Sequence, residues 1–164
     1  MAIPRPSSRI DIAVANGVLA GFEIKSDLDS LNRLPRQVAS FTKVFEHLTL
    51  VTTSTHLEKA RTLLPDCWGI LLIDEKAKIH IIKPTKANKS VSGEHALYLL
   101  TCSELLHIAR LRGLQVSSRA VKSILVDEIL KRMSLRAIMQ NVREALKRRA
   151  IQADHRNHQA AVDT

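Results

Sequence analysis

Three charged residues near the start of the chain, Asp11, Glu23 and Lys25, have the types and spacing that phosphate chemistry uses. Two carboxylates can hold a hard cation such as Mg²⁺, which polarises a phosphoryl oxygen. A lysine two residues after an acid on a strand lies on the same face, where its ammonium can orient water and stabilise developing charge. Many unrelated chains contain an aspartate and a distant Glu-x-Lys. The pattern indicates a site only if the secondary-structure elements that carry these residues bring their side chains together.

The three residues lie in two runs, 9–15 and 18–25, in which apolar and other residues alternate. Asn16-Gly17 separates the runs, and this dipeptide is the strongest short-range signal for a β-hairpin. The alternation predicts one face with the larger apolar side chains, which we expect to form the core, and a second face with the charged residues among small ones. The expected core residues are Ile10, Ile12, Val14, Ala20, Phe22 and Ile24.

The register of this hairpin follows from keeping the apolar residues on one face. A two-residue turn would mix apolar and polar residues along the whole ladder. A three-residue turn over residues 15–17, with its glycine in the left-handed conformation, pairs Val14 with Val18 and Asp11 with Gly21. This register gathers the three charged residues on one face. A bulge at Gly21 is an alternative that would shift it.

Residues 10–25 resemble the PD-(D/E)XK phosphodiesterase superfamily, in which an aspartate is followed by Glu-x-Lys on a neighbouring strand. The resemblance implies that Asp11 and Glu23 are ligands of Mg²⁺ or Mn²⁺. It also implies that Lys25 is the catalytic lysine. The expected activity is hydrolysis of phosphodiester bonds.

The chain that follows extends this resemblance. Residues 23–75 are similar to an uncharacterised bacterial family of PD-(D/E)XK-type proteins, in which the helix after the lysine strand carries a glutamine. The matching residue here is Gln37, which is expected to support the site. Related exonuclease-like nucleases have Gln-x-x-x-Tyr at this place, and Phe41 departs from that tyrosine. Phenylalanine lacks the phenolic hydroxyl of tyrosine, and this argues against an exonuclease-like assignment more than against metal binding.

The beginning of the chain also departs from the family, which usually has a helix ahead of the hairpin. Residues 1–8 contain Pro4 and Pro6, which leave no room for a helix. The start therefore looks truncated. Three explanations stay open: the reading frame is a fragment, a partner or a second copy covers the exposed side of the sheet, or catalysis has been lost and binding kept.

Composition bounds the class of protein. The chain has 164 residues, 45% of them hydrophobic, which suits one domain or one domain with a small appendage. No apolar run is long enough for a membrane span or a secretion signal, so we expect a cytoplasmic protein without membrane contact. The net charge of +9 favours DNA as a partner. An aromatic content of 3% makes stacking on single-stranded bases a poor fit.

The order of elements after Lys25 indicates the fold class. A helix is expected from Pro35 to about Glu46, a strand over 48–52, a helix over 55–64, and a hairpin of strands over 68–73 and 77–83. Strands that alternate with helices imply parallel pairing with right-handed crossovers. The prediction is an α/β fold, a restriction-endonuclease-like mixed sheet flanked by helices and followed by a C-terminal helical subdomain.

The domain boundaries follow from shifts in composition. We expect a nuclease core over 1–83, a polar linker over 84–93, a helical subdomain over 94–151 and a disordered tail over 152–164. Within the helical subdomain, Ser103 is expected to cap one helix, Gly113 to end it, and Ser117 or Ser118 to cap the next.

Two pairs of basic residues are candidates for contact with nucleic acid. Arg33 and Arg36 lie around the helix of Gln37, where they contact phosphate or simply form a solvated face. Residues 101–129 resemble a SAP-type helix–turn–helix, a small module that grips duplex DNA in many proteins. The resemblance implies DNA contact by Arg119 and Lys122, with a purely packing subdomain as the alternative.

Two kinds of function are therefore expected. The first is a Mg²⁺- or Mn²⁺-dependent DNA endonuclease or phosphodiesterase that uses Asp11, Glu23, Lys25 and Gln37. The second is a catalytically inactive module on the same fold, which either binds DNA or serves in protein assembly.

Overall fold

A five-stranded mixed sheet forms the centre of the first of two units into which the chain divides, residues 1–92 and residues 93–164. The computed structural model describes the backbone of residues 9–162 and the side chains of residues 9–154. The expectation that residues 1–8 form no helix lies outside the described residues.

The strands follow each other across the sheet in chain order, from β1 to β5. The outer pairs β1–β2 and β4–β5 are antiparallel, and β2, β3 and β4 run parallel. Helix α1 connects β2 to β3, and α2 connects β3 to β4. The bounds are β1 Ile12–Asn16, β2 Val18–Lys25, α1 Leu34–Phe41, β3 His47–Thr52, α2 Ser54–Leu63, β4 Trp68–Ile73 and β5 Ile79–Lys83. The predicted α/β class, a mixed sheet flanked by helices, is confirmed.

The β1–β2 hairpin has a register that differs from the predicted one. Ile12 pairs with Phe22, so the partner of each β1 residue is two positions further along β2 than expected. The turn is centred on Gly17, whose φ of 71° needs the conformational freedom of glycine. A shift by two residues preserves the alternation of faces. One step beyond the paired ladder, it puts Asp11 across from Glu23 instead of the predicted glycine.

The prediction of which hairpin face forms the core is wrong. Ile12 and Ile24 are exposed, whereas Leu19 on the opposite face is fully buried. The reason lies in the small residues of that opposite face. A Cβ on Gly21 would lie 3.0 Å from the ring of Phe45, so glycine lets the segment after α1 pack directly on the strand. The alternation of apolar and other residues correctly divided the hairpin into two faces. It did not indicate which of these faces the helices cover.

Helix α1 ends earlier than predicted, at Phe41 instead of about Glu46. The amide of Asn88 donates to the carbonyl oxygens of Thr42 and Phe45, at 2.7 and 2.8 Å. These bonds come from a distant part of the chain and satisfy carbonyls just past the helix end, so the backbone leaves the helix there.

The core of the first unit lies between the sheet and α1. Trp68 at the start of β4 is fully buried, and its indole N–H donates to Thr42 Oγ1 at 2.9 Å. Trp68 is therefore a core anchor of this unit. The segment over 84–92 is irregular, as expected, but its backbone is bound to this unit, since Asn88 N–H donates to the Glu46 carbonyl and Ser92 N–H to that of Lys43.

The second unit is helical. Gly113, at φ 67°, follows the end of α4, as predicted. The predicted cap Ser103 is wrong, because Thr101 caps α4 in a reciprocal capping box with Glu104. The helices are α3 Gly93–Leu97, α4 Cys102–Leu111, α5 Lys122–Arg132 and α6 Leu135–Val162.

The last two helices also differ from expectation. Helix α5 begins at Lys122 after Val121, an N-cap in extended conformation, whereas Ser117 starts a separate turn by accepting from Ala120 N–H. Helix α6 continues to Val162, so a disordered tail from Gln152 is wrong for residues 152–162. No glycine or proline interrupts this stretch, and its alanines favour helix.

Candidate active site

Two charged side chains of β2 lie buried on the face covered by α1. Glu23 is 1% exposed and Lys25 is 4% exposed. The two residues are separated by one position on the strand, so they share a face, and Lys25 Nζ lies 2.6 Å from Glu23 Oε1. Buried charges are tolerated only when they are paired, and here each is the partner of the other.

Gln37 comes to the same carboxylate from α1. Its amide nitrogen donates to Glu23 Oε1, the oxygen that also accepts from Lys25. The other carboxylate oxygen, Glu23 Oε2, and the amide oxygen Gln37 Oε1 are buried without a hydrogen-bond partner among the described residues. Such orphaned acceptors are rare in proteins and call for an explanation. Both are oxygen atoms, and an oxygen-binding cation or a water would satisfy them.

Asp11 supplies the second carboxylate. It lies just before β1, and its Oδ2 accepts from the Ile24 N–H at 2.8 Å. This bond fixes the aspartate beside β2, on the side of the sheet where Glu23 also lies. The observed hairpin register accounts for the proximity, since it puts Asp11 across from Glu23.

The pKa of Glu23 is raised above its ordinary value of 4.5, chiefly because burial disfavours the charged carboxylate. The Lys25 ammonium and the Gln37 amide act in the opposite direction. The negative charge of Asp11 adds to the rise. A cation between them would relieve both the burial cost and the repulsion.

These residues line a single pocket of about 300 Å³ in the first unit. The pocket brings together all four predicted catalytic residues, Asp11, Glu23, Lys25 and Gln37, with the two predicted phosphate contacts, Arg33 and Arg36. Residues from β2, α1 and the segment before β1 therefore meet at one place.

Two pocket residues, Arg9 and Asp29, were not among the predicted site residues. Arg9 is two positions before Asp11, and this spacing on an extended segment could have indicated that both face the same way. Asp29 accepts from the Ser26 N–H and hydroxyl at 2.8 and 2.7 Å, and these bonds lower its pKa. It is thus a turn residue that also contributes negative charge to the rim.

The donor set fits a hard divalent cation. Mg²⁺ is usually held by one or two carboxylates and keeps several waters, and Asp11 with the orphaned Glu23 Oε2 offers that number of protein ligands. Within the described part of the chain, no three His, Cys, Asp or Glu side chains are grouped so as to hold a metal. The pocket therefore suits a partly hydrated ion and not a fully enclosed one.

The other predicted contacts, Arg119 and Lys122, belong to the second unit. Lys122 Nζ donates to the Tyr98 carbonyl oxygen at 2.9 Å and lies 5.6 Å from the centre of the Tyr98 ring. Its charge is thus engaged in packing within this unit. Arg119 lies in the exposed turn before α5, where its side chain can reach solvent.

Comparison with known proteins gives the family. A family model described as Bacteriophage P4 protein cII matches residues 1–161. The chain belongs to this family. Protein cII of Enterobacteria phage P4 is 28% identical over 152 residues, which cover 91% of this chain and 57% of that protein. The chain thus spans less than two thirds of the length of this cII relative. No solved structure matches the chain.

Neither the family description nor the name of the relative states an activity. The function of this cII-family chain is therefore argued from its pocket. Within residues 9–162, no helix combines the length and apolar character needed to cross a membrane.

Proposed function

We propose that this cII-family protein is a Mg²⁺- or Mn²⁺-dependent DNA phosphodiesterase of the PD-(D/E)XK type. One observation supports the proposal above all: Glu23 Oε2 is buried, without a hydrogen-bond partner among the residues that the structure describes, in a pocket that also contains Asp11 and Lys25. A purely structural Glu–Lys pair would gain nothing from a second carboxylate or from an unsatisfied oxygen. A site for a cation beside a phosphate needs both.

In this proposal Asp11 and Glu23 hold the cation. When bound, it would polarise the phosphoryl oxygen and favour hydroxide over water. Lys25 has three N–H donors, and only one is used by Glu23. The others can orient the attacking water and stabilise charge on the phosphate. Gln37 fixes the Glu23 carboxylate so that Oε2 remains available.

The arginines of the pocket supply the affinity for DNA. Arg33 and Arg36 line the pocket beside the carboxylates, and guanidinium groups bind phosphate oxygens in bidentate geometry. A net charge of +9 favours the approach of a polyanion. DNA therefore fits better than a small neutral substrate.

The test is a nuclease assay on supercoiled, linear and single-stranded DNA with Mg²⁺ or Mn²⁺. The wild-type protein is expected to cleave at least one substrate, and EDTA is expected to abolish cleavage. Lys25→Ala should lower the rate by about 100-fold or more while DNA binding is retained, because the lysine acts on the transition state. Lys59→Ala on the exposed side of α2 is the matched control and should cleave normally.

Two outcomes would contradict the proposal. One is the absence of cleavage by the wild-type protein with either metal on all three substrates. The other is a Lys25→Ala variant that cleaves at the wild-type rate, since the activity would then come from elsewhere.

A catalytically inactive DNA-binding or protein-assembly module is the second candidate. It is favoured by the small ligand set, because no group of three or more His, Cys, Asp or Glu side chains that could hold a metal occurs in the described part of the chain. This candidate predicts no cleavage. DNA binding that weakens steeply with salt would then indicate a binding module, and its absence an assembly module.

A further inference from the structure

The face of the sheet opposite the pocket is a second distinctive surface. Strand pairing places ten apolar side chains larger than alanine on it, and we call this surface the apolar sheet face. Six of them are between 38% and 73% exposed: Ile12, Val14, Val18, Ile24, Ile79 and Ile81. The others, which are partly buried, are Phe22, Val51, Leu71 and Ile73.

Neither helix of the first unit covers this surface. Gln37 of α1 contacts Glu23, so α1 lies on the pocket face of the sheet. The crossovers β2–α1–β3 and β3–α2–β4 proceed in the same direction, and right-handed connections of this kind put both helices on one side. Parallel strands are normally covered on both faces. On this side the backbone of Thr85 lies against Gly69 at the start of β4, whereas Ile24 on β2 and the apolar residues of the outer strands stay exposed.

The apolar sheet face carries no formal charge. The strand positions that point to this side include no Lys, Arg, Asp or Glu, and their polar members are Asn16, His47 and Thr49. Nucleic acid would find no lysine or arginine at these strand positions to pair with its phosphates. Exposed apolar patches of several hundred Å² are typical of protein–protein contacts.

We propose that the apolar sheet face is covered by the same face of a second copy of this chain, related by a two-fold axis. Each copy has a net charge of +9, and a charge-free face lets two such copies meet without burying like charges. Flat faces of β-branched residues are also the surfaces that pack on one another in β-sandwiches, roughly 10 Å apart.

The size of the face suits such a dimer. Five strands about 4.8 Å apart, each contributing about five residues of about 3.3 Å, give a plan area of roughly 400 Å². Each copy would contribute this plan area together with the sides of its projecting side chains. Two copies would therefore bury on the order of 1,000 Å² in total, the lower bound for a specific interface. The dimer leaves both pockets accessible, since each pocket lies on the outer side of its sheet. The proposal does not depend on nuclease activity.

The test is the mass of the full chain in solution, by sedimentation or light scattering. The wild-type protein is expected to have twice the chain mass of 18.3 kDa. Val14→Glu combined with Ile81→Glu should give a monomer with unchanged far-UV circular dichroism. Leu28→Glu introduces the same charge at a side chain that is 99% exposed in a loop, and this control should remain dimeric.

A monomeric wild-type protein would overturn the proposal, because the face must then be covered within one chain or by another protein. A Val14→Glu/Ile81→Glu variant that is still dimeric would also overturn it. Dilution of the wild-type dimer in the presence of an apolar fluorescent dye provides a test without substitutions. Dye fluorescence per chain should rise as the dimer dissociates, and the absence of a rise would place the interface elsewhere.

Discussion

Lys25 Nζ and Glu23 Oε1 lie 2.6 Å apart, and both side chains are almost fully buried. Removing one member of such a pair leaves an uncompensated charge, whereas removing both leaves none. Lys25→Met or Glu23→Gln alone should therefore lower the free energy of unfolding by about 3 kcal/mol.

The double variant Glu23→Gln/Lys25→Met should regain most of that loss. Chemical denaturation of the four proteins measures the coupling between the two residues. Single losses that simply add in the double variant would show that the pair is not buried in solution. The expected recovery means that the pair is kept for the function of the pocket, not for stability.

A divalent cation should stabilise the protein through Asp11. At a Mg²⁺ concentration of about 100 times its dissociation constant, binding to the folded state alone adds about 2.7 kcal/mol. Asp11→Asn keeps an acceptor for the Ile24 N–H but removes the negative charge, so thermal unfolding of this variant should not respond to Mg²⁺. Asp27→Asn, on a carboxylate outside this pocket, should respond like wild type. An Asp11→Asn variant with the full shift would place the cation elsewhere.

Substitution of Lys122 is expected to affect stability, whereas substitution of Arg119 is expected to affect DNA binding. Lys122→Met loses the bond to the Tyr98 carbonyl and the contact with its ring, so we expect a stability loss of about 1 kcal/mol and little change in DNA affinity. Arg119→Ala should instead weaken binding uniformly across DNA sequences. Titrations at several salt concentrations would show its salt slope reduced by about 1. A larger reduction for Lys122→Met than for Arg119→Ala would contradict this assignment.

Glu104 should make the second unit sensitive to acid. Burial raises its pKa, but hydrogen bonds from Arg149 and Thr101 outweigh burial and hold the pKa below the ordinary value of 4.5. A lowered pKa contributes stability above pH 4.5 that is lost as the pH falls through the folded-state value. Arg149 is 42% exposed, so solvent screens its share of this contribution.

Glu104→Gln should therefore cost about 1 kcal/mol at neutral pH, mostly by weakening the charge-assisted hydrogen bonds from Arg149, because glutamine can still accept from the Thr101 N–H in the capping box. The difference from wild type should shrink in acid, as followed by helical circular dichroism during denaturation. Glu144→Gln on α6 is a matched control with an exposed carboxylate. A Glu104→Gln loss that persists unchanged in acid would show that the carboxylate charge is irrelevant.

Local sequence patterns predicted the strands that carry the site, but they did not predict which face of these strands is buried under α1. Alternation and the Asn16-Gly17 turn located the hairpin and gathered Asp11 with Glu23, because these features depend on near neighbours along the chain. The buried face could not be chosen this way, since Gly21 and its contact with Phe45 matter only once the helix has docked. Gly17 has the positive φ that was predicted, but Asn16 pairs with Val18, so the turn is tighter than the expected three-residue turn and the pairing shifts by two residues.

Helix ends were missed for the same reason. Asn88, far along the chain, takes the carbonyls that would have continued α1. The continuation of α6 past Gln152 was missed because a polar composition was taken to indicate disorder, although nothing in that stretch breaks a helix. Gln37 was predicted from the family resemblance, and it lies beside Glu23 because α1 follows β2 directly along the chain.

Strand β2 belongs to both surfaces of the protein, because its residues point alternately to the pocket and to the apolar sheet face. Insertion or deletion of a single residue between Gly17 and Glu23 would exchange the two sets, turning the acid outward and an isoleucine inward. A single-residue change in the length of the strand is therefore not tolerated. Any length change that survives in a relative must add or remove an even number of residues or lie in the turn.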